Sequence, residues 1–128
     1  MRLRDKVTIV TGSASRLGKA MVARFAEEGA TVVIADINQA AIDATVAELV
    51  KAGRKASGYR VDVTDRDQLA AFMKAVAGEH GRIDILVNNA GVTRNRKFAE
   101  MTGEDWDYVL NVDVKGVFFC IDRKSTRL

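Results

Sequence analysis

Residues 7–18 read VTIVTGSASRLG: a short β-branched apolar run, a turn of glycine and small residues, and the start of a helical period. Gly12 suits the tight strand-to-helix reversal, and Gly18 suits close packing of the helix on the strand. A helix opening at such a turn aims free N–H groups and its positive dipole end forward, which makes a seat for a pyrophosphate. Ser15, Arg16 and Leu17 lie between the two glycines and count with them as candidate cofactor-binding residues. Asp36 ends the next apolar run, 18 residues after Gly18. A carboxylate there can accept hydrogen bonds from the hydroxyls of an adenosine ribose. A 2′-phosphate in the same place would meet a like charge, and the following residue, Ile37, brings no compensating cation. The chemistry indicated is the binding of a nicotinamide dinucleotide, NAD in preference to NADP. The plain alternative for Asp36 is a solvated carboxylate in a strand-to-helix loop.

Positioning these groups requires alternating strands and helices. Val7–Val10 reads as the first strand, Thr31–Ala35 as a second buried on both faces, Ala56–Val61 as a third and Ile83–Val87 as a fourth. Helical periods fill the intervals. The first runs from about Leu17 to Glu28, ended by Gly29. The second starts near Asn38, directs Ile42, Val46, Leu49 and Val50 inward, and stops before Gly53. A capping box of Asp65 and Gln68 opens the third, with Leu69, Phe72, Met73 and Val76 as its inner stripe and Gly81 at its end. Thr102 caps a last helix whose expected inner stripe is Trp106, Leu110, Val114, Val117 and Ile121. Strand–helix alternation implies a parallel sheet, and right-handed crossovers give the strand order 3-2-1-4. The fold class is therefore α/β, the N-terminal part of a doubly wound Rossmann-type sheet. Ligands of such sheets bind at the carboxyl edge, where the order reverses between strands one and four.

The turn TGSASRLG, with IDILVNNAG at residues 83–91, resembles the short-chain dehydrogenase/reductase family, in the branch marked by TGxxxGxG and NNAG. The likeness covers residues 3–121 and implies further roles. Asp62 would read the adenine amino group, and Val63 would line the ring pocket. Asn89, Ala90 and Gly91 would follow the fourth strand past the cofactor, while Asn88 would be more structural than catalytic. Asn111 matches the asparagine of the family's catalytic tetrad, placed at a helix distortion where it holds a water of a proton relay. It falls in an otherwise apolar helix, where a buried amide needs partners; the plain alternative is a polar residue on the helix's solvated side. Residues 88–106 look most like 3-oxoacyl-thioester reductases, including those acting on acyl-carrier protein. That implies a secondary alcohol, ketone or acyl-thioester substrate and a homo-oligomeric parent.

Two departures from the family pattern stand out. The middle glycine of TGxxxGxG is replaced by Arg16. Its side chain stands where backbone should approach the phosphates, and a backbone with φ > 0 there would add about 1–2 kcal/mol. Obstruction or a single-base sequence error is favoured over the third account, a guanidinium paired with a phosphate. Second, the family's Tyr-xxx-Lys pair is missing: four residues after Tyr59 and Tyr108 stand Val63 and Val112. The chain reads as the cofactor half of a dehydrogenase, inactive alone. A dinucleotide-binding module without catalysis is the competing function. The extended epimerase branch, spaced GxxGxxG, does not fit the turn.

Composition narrows the remaining classes. With 48% hydrophobic and 29% charged residues, the chain can form one domain with an ordinary core. No apolar run has the length of a membrane span. The single Cys120, set among Val117, Phe118, Phe119 and Ile121, reads as a buried hydrophobe and points to the cytoplasm. His80 reads as a solvated helix-end residue, and no metal site is expected. Of the net charge of +3, two charges arise in DRKSTRL at residues 122–128; without it the balance is 17 basic against 16 acidic groups, and no nucleic-acid surface is expected. That heptapeptide resembles translated sequencing-adapter sequence and reads as a non-native tail on a domain of residues 1–121.

Overall fold

In the computed structural model, which describes residues 1–125 and side chains as far as Asp122, four parallel strands lie in the order 3-2-1-4. They are β1 (Val7–Thr11), β2 (Thr31–Asp36), β3 (Ala56–Arg60) and β4 (Ile85–Val87). The register sets Ile9 against Val33 on one side and Leu86 on the other. All of β1 is buried, as a strand covered on both faces must be. Helices α1 (Arg16–Glu27) and α2 (Gln39–Lys51) cover one face, where Val10, Val22, Val32, Ile34 and Ile42 form the core. On the other face, α3 (Arg66–His80) and the C-terminal helices pack around Ile9, Val33, Leu69, Phe72, Met73 and Cys120. The fold is α/β and Rossmann-like.

Caps explain where the helices start. Asn38 accepts from the Ala41 N–H, and Asp65 accepts from the Asp67 and Gln68 N–H groups. The expected box at Asp65 closes differently: the Gln68 carbonyl oxygen accepts from the Asp62 N–H at 3.0 Å, while its amide donates to the Asp65 carboxylate. Gln68 thereby ties the end of β3 to the start of α3.

The fourth strand is shorter than the apolar run that announced it. Ile83 is buried but lies outside the ladder, and Asp84 turns its carboxylate onto the Val7 N–H at 2.8 Å. The Arg82 guanidinium, and after it that N–H, hold the Asp84 carboxyl below the usual carboxylate range. A carboxyl depressed in the folded state stabilises fully above its unfolded value and loses that contribution as pH falls through the folded one. Asp84→Asn should therefore lower the urea midpoint at neutral pH, with the gap closing in acid. A gap that persists undiminished in acid would show that the charge plays no part.

The last helix corrects the expected pattern most. It comes in three parts: α4 (Gly103–Leu110), a π-helical turn (Asn111–Lys115) and α5 (Gly116–Ser125). Trp106, Leu110, Val114 and Ile121 are exposed, with Phe118 beside them, while the face toward the sheet carries Gly116 and Cys120. A Cβ at Gly116 would stand 2.8 Å from Val63 Cγ2, so this helix approaches through its small residues. The bulky stripe is left outside. Similarly, Val50 in α2 is exposed, and Thr45 takes the inward place, its hydroxyl donating to the Ala41 carbonyl. His80 is not solvated as expected: its side chain is 17% exposed and its Nε2 is buried without a hydrogen bond. Cys120 is fully buried, which pushes its thiol up to about 11. α5 runs past the expected boundary at residue 121, and residues 126–128 of the proposed tail lie outside the described residues.

Candidate functional site

The glycine turn joins β1 to α1. Gly12 has φ +66°, and the Ala90 backbone lies so near that a Cβ would stand 2.9 Å from Ala90 Cα. Gly18 is tighter still, since its Cβ would stand 2.6 Å from Asn89 Nδ2 and 2.8 Å from Ser13 Cα. No side chain caps α1: Ser15 at its N-cap is extended and makes no capping bond, and the first turn holds no acidic residue. The starts of α2, α3 and α4, in contrast, are each capped by a side chain. The first N–H groups of α1 thus have no side-chain cap.

Arg16 opens α1 with φ +50°, a left-handed conformation that favours glycine. Its side chain is exposed on the wall of the same cleft, as is that of Leu17. The structure therefore contains the strain expected if arginine replaces a glycine at this point.

Asp36 ends β2 half-buried. One carboxylate oxygen accepts from Ala14 N–H at 3.1 Å; the other accepts from Ile37 at 2.8 Å and Asn38 at 3.2 Å. These bonds fix the carboxylate at the sheet edge with acceptor capacity to spare. At the end of β3, Asp62 Oδ1 accepts from the Thr64 N–H and hydroxyl, and Val63 is buried against α5.

Beyond β4, Asn89 is a structural latch. Its Nδ2 donates to the Thr11 and Gly12 carbonyls, both at 3.1 Å. The Thr11 hydroxyl in turn accepts from the Asn89 and Ala90 N–H groups at 3.1 and 3.0 Å. The two polar turns are locked together across the switch point. Asn88 has its Oδ1 buried without a partner. Past Gly91, the Val92 N–H donates to Asp113 in the π-helical turn at 2.8 Å.

These groups surround one cavity of about 630 Å³. Gly12, Ser15, Arg16 and Leu17 line one stretch, Asp36, Ile37, Asp62 and Val63 the next, and Asn89, Ala90 and Gly91 the floor. Gly18 stands behind the wall, holding it close. At the far end are Tyr108, Asn111 and Val112. Asn111 opens the π-helical turn, which is the helix distortion expected there. It is exposed, not a buried amide, and its carboxamide makes no hydrogen bond among the described residues. Tyr108 carries the Arg94 guanidinium 4.1 Å above its ring.

Thr11, Ser13, Thr64 and Asp113 went unnoticed in the sequence. Ser13 donates to the Val10 carbonyl and accepts from Ala35 N–H, which seats the turn on the sheet. Its position within the glycine motif was the available signal for this; Asp113 offered none. Among the described residues no three His, Cys, Asp or Glu side chains converge as metal ligands, and no helix is long and apolar enough to cross a membrane.

The family model for short chain dehydrogenase matches residues 6–127. The chain is 48% identical, over 92% of its length, to 3-oxoacyl-[acyl-carrier-protein] reductase of Thermotoga maritima, covering 48% of that protein. It is 40% identical, over 94% of its length, to meso-2,3-butanediol dehydrogenase of Serratia marcescens, covering 47% of it. Among solved structures, a short chain dehydrogenase/reductase from Burkholderia phymatum in complex with NAD superposes with a TM-score of 0.94 at 31% identity. That match covers 100% of this chain and 46% of the other. The chain thus spans about half the length of the relatives it matches. Its glycine turn, its strand order and these matches agree, and the chain belongs to the short-chain dehydrogenase/reductase family.

Proposed function

We propose that this chain is the dinucleotide-binding part of an NAD(H)-dependent oxidoreductase interconverting a secondary alcohol and a ketone. The observation that carries the reading is an uncapped helix start and a fixed carboxylate converging on one cavity at neighbouring strand ends. NAD(H), when bound, supplies or accepts the hydride. The N–H groups of α1 hold the pyrophosphate, with Ser15 and Leu17 beside it. Asp36 holds the adenosine ribose and disfavours a 2′-phosphate, with Ile37 flanking the site. Asp62 and Val63 frame the adenine, and Asn89, Ala90 and Gly91 form the floor. Asn111, whose carboxamide makes no hydrogen bond among the described residues, holds a water on the proton route.

The names of two relatives, a 3-oxoacyl reductase and a butanediol dehydrogenase, support a small alcohol, ketone or 3-oxoacyl thioester as substrate. A single buried cysteine suits a cytoplasmic protein. The exposed stripe of Trp106, Leu110, Val114, Phe118 and Ile121 supports a homo-oligomer.

Titration of NADH fluorescence against the chain and an Arg16→Gly variant tests the site. The chain binds NADH without reducing ketones, because no tyrosine here has the partner lysine. Arg16→Gly binds NADH more tightly and gains up to about 1 kcal/mol in stability as the left-handed strain is relieved. Equal or weaker binding by the variant would mean that the guanidinium holds a phosphate. No binding by either protein would end the dinucleotide reading.

A further inference from the structure

Beside Ile37, at the end of the cavity assigned to the adenosine, stands a cation outside the cavity lining, Arg60. The register of β2 and β3 sets Arg60 opposite Asp36. Tyr59, one residue earlier, packs against Phe72 of α3 with ring centroids 5.4 Å apart. Strand alternation therefore turns Arg60 to the other face, toward the loop after β2. There its Nε donates to the Ile37 carbonyl at 3.2 Å, and Ile37 lines the cavity. This is the guanidinium's one hydrogen bond among the described residues, and it forms no ion pair among them. Asp36 forms no ion pair with it; that carboxylate accepts from the Ala14, Ile37 and Asn38 N–H groups instead. Arg60 is exposed, and its two terminal nitrogens make no hydrogen bond among the described residues.

We propose that Arg60 is a specificity-determining residue whose guanidinium offers a contact to a phosphate on the adenosine 2′ position. It thereby limits how strongly Asp36 discriminates against NADP(H). This deepens the proposed function and rests on its dinucleotide reading. Asp36 sets the direction of cofactor preference, and Arg60 sets its depth. A guanidinium suits the task because its planar fork matches two phosphate oxygens. Anchorage of Nε on the Ile37 carbonyl holds that fork in place before the ligand arrives.

Adenosine 2′,5′-bisphosphate and 5′-AMP differ in the 2′ group alone, and calorimetric titration of both against the chain and Arg60→Gln isolates its contact. The variant is expected to bind the bisphosphate about tenfold more weakly while binding 5′-AMP as before. Arg60→Lys, which keeps the charge without the fork, is expected to recover part of the loss. Equal weakening toward both probes would make Arg60 a prop for the Ile37 loop and overturn the proposal, as would no change toward either. Failure of the dinucleotide reading is separately visible: the unsubstituted chain would then bind neither NADH nor 5′-AMP, and the role of Arg60 would fall with it.

Discussion

Replacing Asp36 with alanine and Ile37 with arginine is expected to move the preference from NAD(H) toward NADP(H), shifting the ratio of dissociation constants by about 100-fold. The direction follows from charge. The Asp36 carboxylate is fixed at the end of β2 by three backbone N–H groups, so it cannot swing aside from a 2′-phosphate. Alanine removes that repulsion, and arginine at the exposed position 37 adds attraction. The same hydrogen bonds predict a side effect. Ala14 is 5% exposed, so its N–H is left unpaired in the variant, costing about 1–3 kcal/mol of stability. Ile37→Arg alone keeps those bonds and should gain NADPH affinity without the stability loss. Fluorescence titrations with NADH and NADPH give the ratio, and thermal melts give the cost. If the unsubstituted chain already prefers NADPH, the role assigned to Asp36 is wrong.

What could be read in the sequence was what local spacing encodes. Gly12, Gly18 and Asp36 lie within 25 consecutive residues, and the steric needs of one strand–turn–helix–strand unit dictate their types. The strand order likewise follows from alternation and handedness. Contacts made across the fold were not legible. Thr11 meets the Asn89 and Ala90 N–H groups from 78 and 79 residues away, and no periodicity marks it. Asp113 became visible only once the π-helical turn had set it beside Val92. The stripe in the last helix was misread for a different reason. Counting apolar residues selects the bulkiest side chains, whereas close approach to Val63 selects Gly116. His80 shows the opposite error: polar character suggested solvent, yet its side chain is largely covered at the end of α3.

Gly18→Ala is expected to cost about 3 kcal/mol and to abolish NADH binding. Its added methyl would press on the Gly12 carbonyl oxygen, on Ser13 Cα and on Asn89 Nδ2 at once. Two of these are backbone atoms of the glycine turn. The third belongs to a side chain pinned by hydrogen bonds to Thr11 and Gly12. None is the loose end of a flexible group, so relief requires α1 to move away from β1. Such a movement takes the free N–H groups of α1 out of line with the cavity, coupling loss of stability to loss of binding. Gly78→Ala supplies the contrast. Gly78 lies on the exposed side of α3, where a Cβ meets nothing within 4 Å, so alanine should stabilise by about 0.5–1 kcal/mol. Melting curves of the two variants should therefore shift in opposite directions. A Gly18→Ala protein that melts with the parent and still binds NADH would show that the turn yields, and that close packing of α1 on β1 is not what shapes the site.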